Sequence, residues 1–258
     1  MGHDPVRKVA VVMGGGSSVG RGIAVALADL GLKVHAADIV QADLDDLAAA
    51  RPDIVCGNVD AVDPAAVEAW LQEIARTAGP VDVLVNTVGI GGAPRPIEDT
   101  TVAEWDRIIA GSAGAAFYAI RQVVPGMKAR GGGCIINFSS CSTKVGLPLR
   151  TPYIAAKYAL EGLTRNLARE LGPHGIRVNA ILPGAIDNDR FRSIVTSRAQ
   201  HAGRSERDVE GELLAFVSMR TKIAIEEIVG AVLYLVSPAA RHVTGQLLSV
   251  DGNVEWES

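Results

Sequence analysis

Two serines, Ser139 and Ser140, close the apolar run Cys134-Ile-Ile-Asn-Phe138; thirteen residues beyond Ser140 stands Tyr153, and four further on Lys157. On a helix, residues four apart share one face, one turn apart. A phenol beside an ammonium can do proton chemistry. Free tyrosine titrates near pH 10, and a neighbouring cation favours the phenolate. Bringing the phenol to neutrality needs about 4 kcal/mol of differential stabilisation, much of which one lysine in a partly dry cleft can supply. Ser140, a hydroxyl at a strand end, could then hydrogen-bond the same substrate oxygen that Tyr153 protonates or deprotonates. A lone Tyr-x-x-x-Lys is a common chance pattern, so the reading depends on the elements around it.

Those elements begin with Lys8-Val-Ala-Val-Val-Met13, a short β-branched run that predicts a strand buried on both faces. Gly14-Gly-Gly-Ser-Ser-Val-Gly20 follows at once, and Arg21 to Leu30 has helical apolar spacing ended by Gly31. Strand, glycine loop and helix together present backbone N–H groups and a helix N-terminus to a phosphate. Leu32 to Asp38 predicts the second strand; its terminal carboxylate, eighteen residues after Gly20, stands where the ribose hydroxyls of an adenine dinucleotide are held. No Arg or Lys follows in Ile39-Val-Gln-Ala-Asp43, and Ser17 rather than a basic residue sits in the loop. A 2′-phosphate would meet Asp38 with nothing to offset the repulsion, so NAD is favoured over NADP.

Further strands are predicted at Asp53–Gly57, Val81–Asn86, Ile176–Leu182 and Gln246–Val250, besides the one leading into Ser139-Ser140. Helices are predicted over Asp43–Ala50, from Asp63-Pro64 to about Ala78, over Thr101–Arg130, from Pro152 to Leu171, and over Ile225–Val236. A loop containing Gly146 and Pro148 separates Ser140 from the Tyr153 helix. Regular alternation without a linker or repeat predicts one doubly wound parallel α/β domain spanning residues 1–258. The polar stretch Asp187–Thr221 is expected to be a substrate lid; its arginines, Arg190, Arg192, Arg198, Arg204 and Arg207, read first as a solvated helical face.

The 258 residues carry a formal net charge of -4 and 4% aromatics, which leaves no broad basic surface or stacking platform for nucleic acid. Cys56, Cys134 and Cys141 form no CxxC spacing; they read as small buried hydrophobes in a reducing cytoplasm. The five histidines show no metal spacing. No apolar run is long enough for a membrane span, and no signal-peptide pattern is expected. Met1-Gly2 is discounted as a myristoylation signal because residue 6 is Val.

In order along the chain, the Gly14–Gly20 loop, Asp38, Asp60, Asn86-Thr-Val-Gly89, Ser140, Tyr153-x-x-x-Lys157, Asn179 with Pro183-Gly184, Thr244-Gly-Gln246 and Asp251-Gly252 resemble the short-chain dehydrogenase/reductase family over essentially the whole length. The resemblance implies a seven-stranded Rossmann fold of order 3-2-1-4-5-6-7 and reversible hydride transfer between NAD(H) and a secondary alcohol, a cyclic diol or a 3-hydroxyacyl group. It makes Tyr153 the general acid/base, has Lys157 lower its pKa and bind the nicotinamide ribose, and gives Ser140 the reacting oxygen. It also implies cofactor contacts from Gly14, Gly16, Ser17, Ser18, Val19, Gly20, Asp38, Asn86 and Gly89, from Asp60 and Ala61 at the adenine, and from Pro183, Gly184 and Ile186 toward the carboxamide. A homotetramer, or a homodimer, is implied, with helices 101–130 and 153–171 meeting their symmetry copies.

There are departures. Met13 replaces a usual Thr, Ser18 the middle glycine of the loop, Thr87-Val88 an Asn-Ala, Asn188 a Thr, and Asn253 the last Gly of Asp-Gly-Gly. Ser112 falls where the family's catalytic Asn holds a water that relays protons to the lysine, and is taken as a fourth catalytic position. Two other readings on the same scaffold stay open: an epimerase or dehydratase using bound NAD without net turnover, and a non-catalytic NAD sensor. Retention of Ser140, Tyr153 and Lys157 together speaks against the sensor.

Overall fold

The computed structural model describes residues 8–255, so the Met1-Gly2 reading lies outside the described residues. Seven strands form one parallel sheet: β1 (Val9–Met13), β2 (Lys33–Asp38), β3 (Val55–Asn58), β4 (Val83–Asn86), β5 (Gly133–Phe138), β6 (Ile176–Pro183) and β7 (Leu247–Val250). Their spatial order is β3-β2-β1-β4-β5-β6-β7, the expected doubly wound arrangement. The order reverses between β1 and β4, the switch point at whose carboxyl ends sheets of this kind carry their ligand crevice. The registers Met13↔Asn86 and Asn86↔Asn137 align the ends of β1, β4 and β5 at that crevice.

Alternating side chains leave the two sheet faces through every central strand. Val9, Val11 and Met13 join a core with α3 (Pro64–Thr77), α5 (Ala115–Arg130) and α7 (Thr151–Leu171), whereas Ala10 and Val12 join one with α1 (Ser18–Asp29), α2 (Gln41–Ala50) and α10 (Ile225–Val236). Both faces being covered explains why the strands read as continuous apolar runs rather than alternating ones. Asp63 caps α3 by accepting from the Ala65 and Ala66 amides, with Pro64 in its first turn as the sequence predicts.

The structure differs from the expectations at several elements. β3 begins at Val55, two residues late, because Arg51 bridges Asp29 and Asp53 and holds the preceding residues in a turn. The loop after Ser140 contains a short helix, α6 (Ser142–Val145). The stretch 101–130 is not one regular helix: α4 (Val102–Ile109) passes through a π-helical turn, Ala110–Gly114, before α5. Residues 187–221 are mostly a helical hairpin, α8 (Asp189–Ala202) and α9 (Glu206–Leu214), with a small core of its own around Val195, Ala199 and Val209. Of the three cysteines only Cys134 is fully buried; Cys56 and Cys141 are half-buried, and all three are free thiols.

Candidate active site

Tyr153 and Lys157 lie in the first two turns of α7, which the 151–171 sequence starts with Pro152 in its first turn. Lys157 is 4% exposed; its Nζ donates to the Phe138 carbonyl oxygen at 2.8 Å and stands 5.7 Å from the centre of the Tyr153 ring. Burial, and then the charge of Arg190, lower its pKa to about 8. The Tyr153 hydroxyl has no hydrogen-bond partner among the described residues, which leaves it free for a substrate oxygen. Ser140 stands two residues beyond the end of β5, and its buried hydroxyl accepts the Ser142 amide at 3.2 Å. Thr143 Oγ1 donates back to the Ser140 carbonyl, so α6 locks the serine's backbone.

Ser112 lies within the π-helical turn, 1% exposed, and its Oγ has no partner among the described residues. A Cβ on Gly89 would stand 2.9 Å from Lys157 Nζ and 3.9 Å from Ser112 Oγ. The missing side chain at Gly89 is therefore what lets the ammonium enter, and Ser112 faces the same small space. Single π-turns widen a helix and recur at functional sites.

At the other end of the crevice, β1 runs into the glycine loop. A Cβ on Gly20 would stand 1.9 Å from the Gly14 carbonyl oxygen, so only glycine allows α1 to start this close to the strand. Thr87 Oγ1 donates to the Met13 carbonyl at 2.7 Å and to that of Gly14 at 3.1 Å, tying β4 to the loop. The Asp38 carboxylate accepts the Gly16 and Val40 amides and keeps further lone pairs open. Asp60 accepts the Val62 amide, with Ala61 buried beside it. Asn86 donates to Asn137 Oδ1 at 2.9 Å, but its own Oδ1 is buried without a partner. After β6, Gly184 donates to the Val250 carbonyl, and Ile186 pairs with Ile223 as a parallel bridge. Asn188 caps α8 and also donates from Nδ2 to Ser18 Oγ at 3.2 Å, joining the hairpin to the glycine loop.

The hairpin's arginines divide into two sets. Arg192 pairs with Asp187 and Asp189, and Arg204 with Glu212. Arg190, although exposed, pairs with no carboxylate among the described residues; a terminal nitrogen of its guanidinium lies over Gly91 beside one of Arg150. Arg150 was missed by the sequence reading. Its guanidinium carbon lies 5.6 Å from the centre of the Tyr153 ring, and its buried Nε has no partner among the described residues. Burial and Arg190 together push its pKa below the usual value for arginine. The detectable signal was position: Arg150 stands at the N-cap of α7, where Ser, Asp or Asn is preferred.

Comparison with known proteins adds to this geometry. Residues 14–254 match a family model described as Enoyl-(Acyl carrier protein) reductase. A D-beta-hydroxybutyrate dehydrogenase of Rhizobium meliloti is 32% identical over 252 residues, covering 95% of this chain and 97% of that protein. The crystal structure of a sorbitol-6-phosphate 2-dehydrogenase from Erwinia amylovora superposes with TM-score 0.89 at 29% identity, covering 96% of this chain and 100% of that one. An NAD+-bound xylitol dehydrogenase does so with TM-score 0.89 at 27% identity, covering 97% and 100%. The chain belongs to the short-chain dehydrogenase/reductase family. It is an oxidoreductase of a class that uses nicotinamide cofactors, and its relatives act on alcohols. Among the described residues no helix is long and apolar enough to cross a membrane, and no group of side chains could hold a metal ion.

Ser18 shows what its departure costs. Its φ is +50, the left-handed conformation that a glycine at this position adopts freely. Holding an L-residue there costs about 1–2 kcal/mol, partly offset by the entropy that glycine loses on folding. Ser18→Gly is expected to raise stability by up to about 1 kcal/mol, seen as a melting temperature a few degrees higher. An unchanged or lowered melting temperature would show that the bond to Asn188 outweighs the strain.

Proposed function

We propose that this protein is an NAD-dependent secondary-alcohol dehydrogenase or ketone reductase with Tyr153 as general acid/base. The observation that carries the reading is the buried Lys157 ammonium beside a tyrosine whose hydroxyl is free. In the oxidative direction the substrate O–H proton passes to Tyr153 while the carbinol C–H bond gives up its electron pair as hydride, and the C–O bond becomes C=O. Bound NAD supplies the hydride acceptor at its nicotinamide C4. Lys157 holds the phenolate form by its charge. Ser140 donates its hydroxyl proton to the reacting oxygen as charge develops there. Ser112, unpartnered next to Lys157, has room to hold a water that passes the proton outward.

The residues fit the dinucleotide along the crevice. Gly14, Gly16, Ser17, Ser18, Val19 and Gly20 would hold the pyrophosphate at the N-terminus of α1, and Asp38 the adenosine ribose. Asp60 and Ala61 would border the adenine, with Asn86, whose orphaned Oδ1 calls for a donor, and Gly89 lining the middle. Lys157 would also bind the nicotinamide ribose, and Pro183, Gly184 and Ile186 would meet the carboxamide end. The chain is read as a single catalytic domain with the α8–α9 hairpin as its lid, tied down at Asn188. The three free thiols suit a reducing cytoplasm.

Tyr153→Phe removes the proton acceptor but keeps the ring. It is expected to lower kcat by about 10³-fold or more while NAD affinity stays nearly native. Ser140→Ala is expected to raise the barrier by about 3 kcal/mol, and Ser112→Ala to slow proton release modestly, most at low pH. Dehydrogenase activity within tenfold of native in Tyr153→Phe would overturn these roles.

For the cofactor, calorimetric titration is expected to show NAD(H) binding far more tightly than NADP(H), because Asp38 repels a 2′-phosphate. Asp38→Ala narrows the gap. Equal affinities in the native protein would sink the assignment.

Assembly is proposed to be a homotetramer through α4, α5 and α7. These helices leave Val102, Trp105, Phe117 and Tyr158 exposed; of the small residues 113–116, Ala115 and Ala116 are taken up by the subunit's own core, so only the half-buried Ala113 and Gly114 are left to permit close helix approach. Light scattering at micromolar concentration is expected to give about four times the 27.0 kDa chain mass. A monomer would rule the assembly out.

A further inference from the structure

Four positive groups converge on the substrate side of Tyr153. Arg150 and Lys157 both lie against its ring, at 5.6 and 5.7 Å from the ring centre. Terminal nitrogens of Arg150 and Arg190 lie 2.6 and 2.5 Å from the point where a Cβ on Gly91 would stand, so the two guanidiniums crowd over one glycine. Arg198 is two turns along α8 from Arg190, on the same helical face, and its charge reaches Arg150. No described carboxylate forms an ion pair with Arg150, Arg190 or Arg198, although acids pair with Arg192 and Arg204 on the same hairpin.

This arrangement works against folding. Like charges crowded together repel, and neither the half-buried Arg150 nor the exposed Arg190 has a carboxylate among the described residues to offset that. The cations also stand at the wrong ends of their helices: Arg150 caps α7 and Arg190 lies in the first turn of α8, where the helix dipoles favour anions. Arg190 and Arg198 are exposed, yet unlike Arg192 they take no carboxylate partner among the described residues, and Arg190 reaches over Gly91 toward Arg150. The Arg150 Nε–H is buried and bonded to nothing. A planar guanidinium fork left open in this way matches an oxyanion, which it binds through two parallel hydrogen bonds.

We propose that the substrate is a secondary alcohol or ketone bearing an oxyanion, a carboxylate or a phosphate ester, held by Arg150 and Arg190 over Gly91 with Arg198 at the rim. The proposal rests on the dehydrogenase reading of the site and names the substrate class it leaves open. Binding of the oxyanion orients the carbinol carbon toward Tyr153 and draws α8 down, so the lid closes on charged substrates in preference to neutral ones.

The test is calorimetric titration of the NADH-saturated protein with malonate and, separately, with inorganic phosphate; the saturating cofactor keeps phosphate out of the glycine loop. One of the two is expected to bind with a Kd below about 1 mM, and the tighter one identifies the oxyanion. Arg190→Met lies on an exposed helix and is not expected to disturb folding. It should weaken that binding by about tenfold or more, as should Arg150→Met. If Arg150→Met does not fold, Arg190→Met alone decides. Absence of binding by either probe, or equal affinity in native protein and Arg190→Met, overturns the proposal. Because the readout is binding, it is independent of turnover. A protein that oxidises neutral secondary alcohols but binds neither anion keeps the dehydrogenase reading and loses this one; one that binds the anion through Arg190 but turns over no alcohol does the reverse.

Discussion

The ammonium of Lys157 is buried at the carboxyl end of the sheet with one carbonyl, that of Phe138, as its protein hydrogen-bond partner. A buried cation is costly unless its donors are satisfied and its surroundings hold it in place. Much of the site follows from that cost. Position 89 must be glycine to leave room for Nζ, the helix bearing Ser112 must widen where it passes, and the Tyr153 ring supplies a π-face to the charge. The same low-dielectric setting that makes the lysine costly makes its effect on a neighbouring phenol large. In the proposed mechanism, stability given up at this point is what drives the proton chemistry.

A charge held this way needs a rigid mount. A chain of buried hydrogen bonds runs from Asn86 on β4 to Asn137 on β5, from Asn137 to Thr164 on α7, and from Thr164 to the Leu160 carbonyl. A second tie joins Ser139, next to Ser140, to Glu161 at 2.7 Å and to the Lys157 carbonyl at 3.3 Å. Apolar packing alone would let α7 slide along the sheet by fractions of a turn. These directional bonds admit one register, the one that puts Tyr153 and Lys157 beyond the end of β5.

The alternation of strands and helices, the glycine loop, Asp38 and the Tyr153–Lys157 pair were legible because each is written in local spacing, whereas the strand order came with the family resemblance. The buried ties were not: Asn137 appears in the sequence as one polar residue in an apolar run, and nothing local says that Thr164 will meet it. The π-turn was hidden because Ala110-Gly-Ser-Ala-Gly114 preserves helical composition while changing helical pitch. Arg150 was overlooked for another reason. It is near Tyr153 in sequence, but its significance comes from Arg190, forty residues away on the stretch expected to be a substrate lid. The arginines of that insertion could not be sorted from sequence, because the carboxylates that neutralise Arg192 and Arg204 are set by the hairpin's own packing.

The π-turn at Ala110–Gly114 also acts as a residue counter. It holds one more residue than an α-helical turn of the same span, so the faces of α4 and α5 are offset by about 100° relative to a continuous helix. Loss of a single residue here would leave a well-formed helix of ordinary pitch, with no polar group exposed and no proline to break it. Yet everything upstream would rotate by that angle, carrying Trp105 and Ile108 to new faces and Ser112 away from Lys157. The segment is thus intolerant of any change in length, the inverse of what holds in a surface loop, and at Gly111, where a Cβ would stand 2.2 Å from Ile90, of added bulk as well.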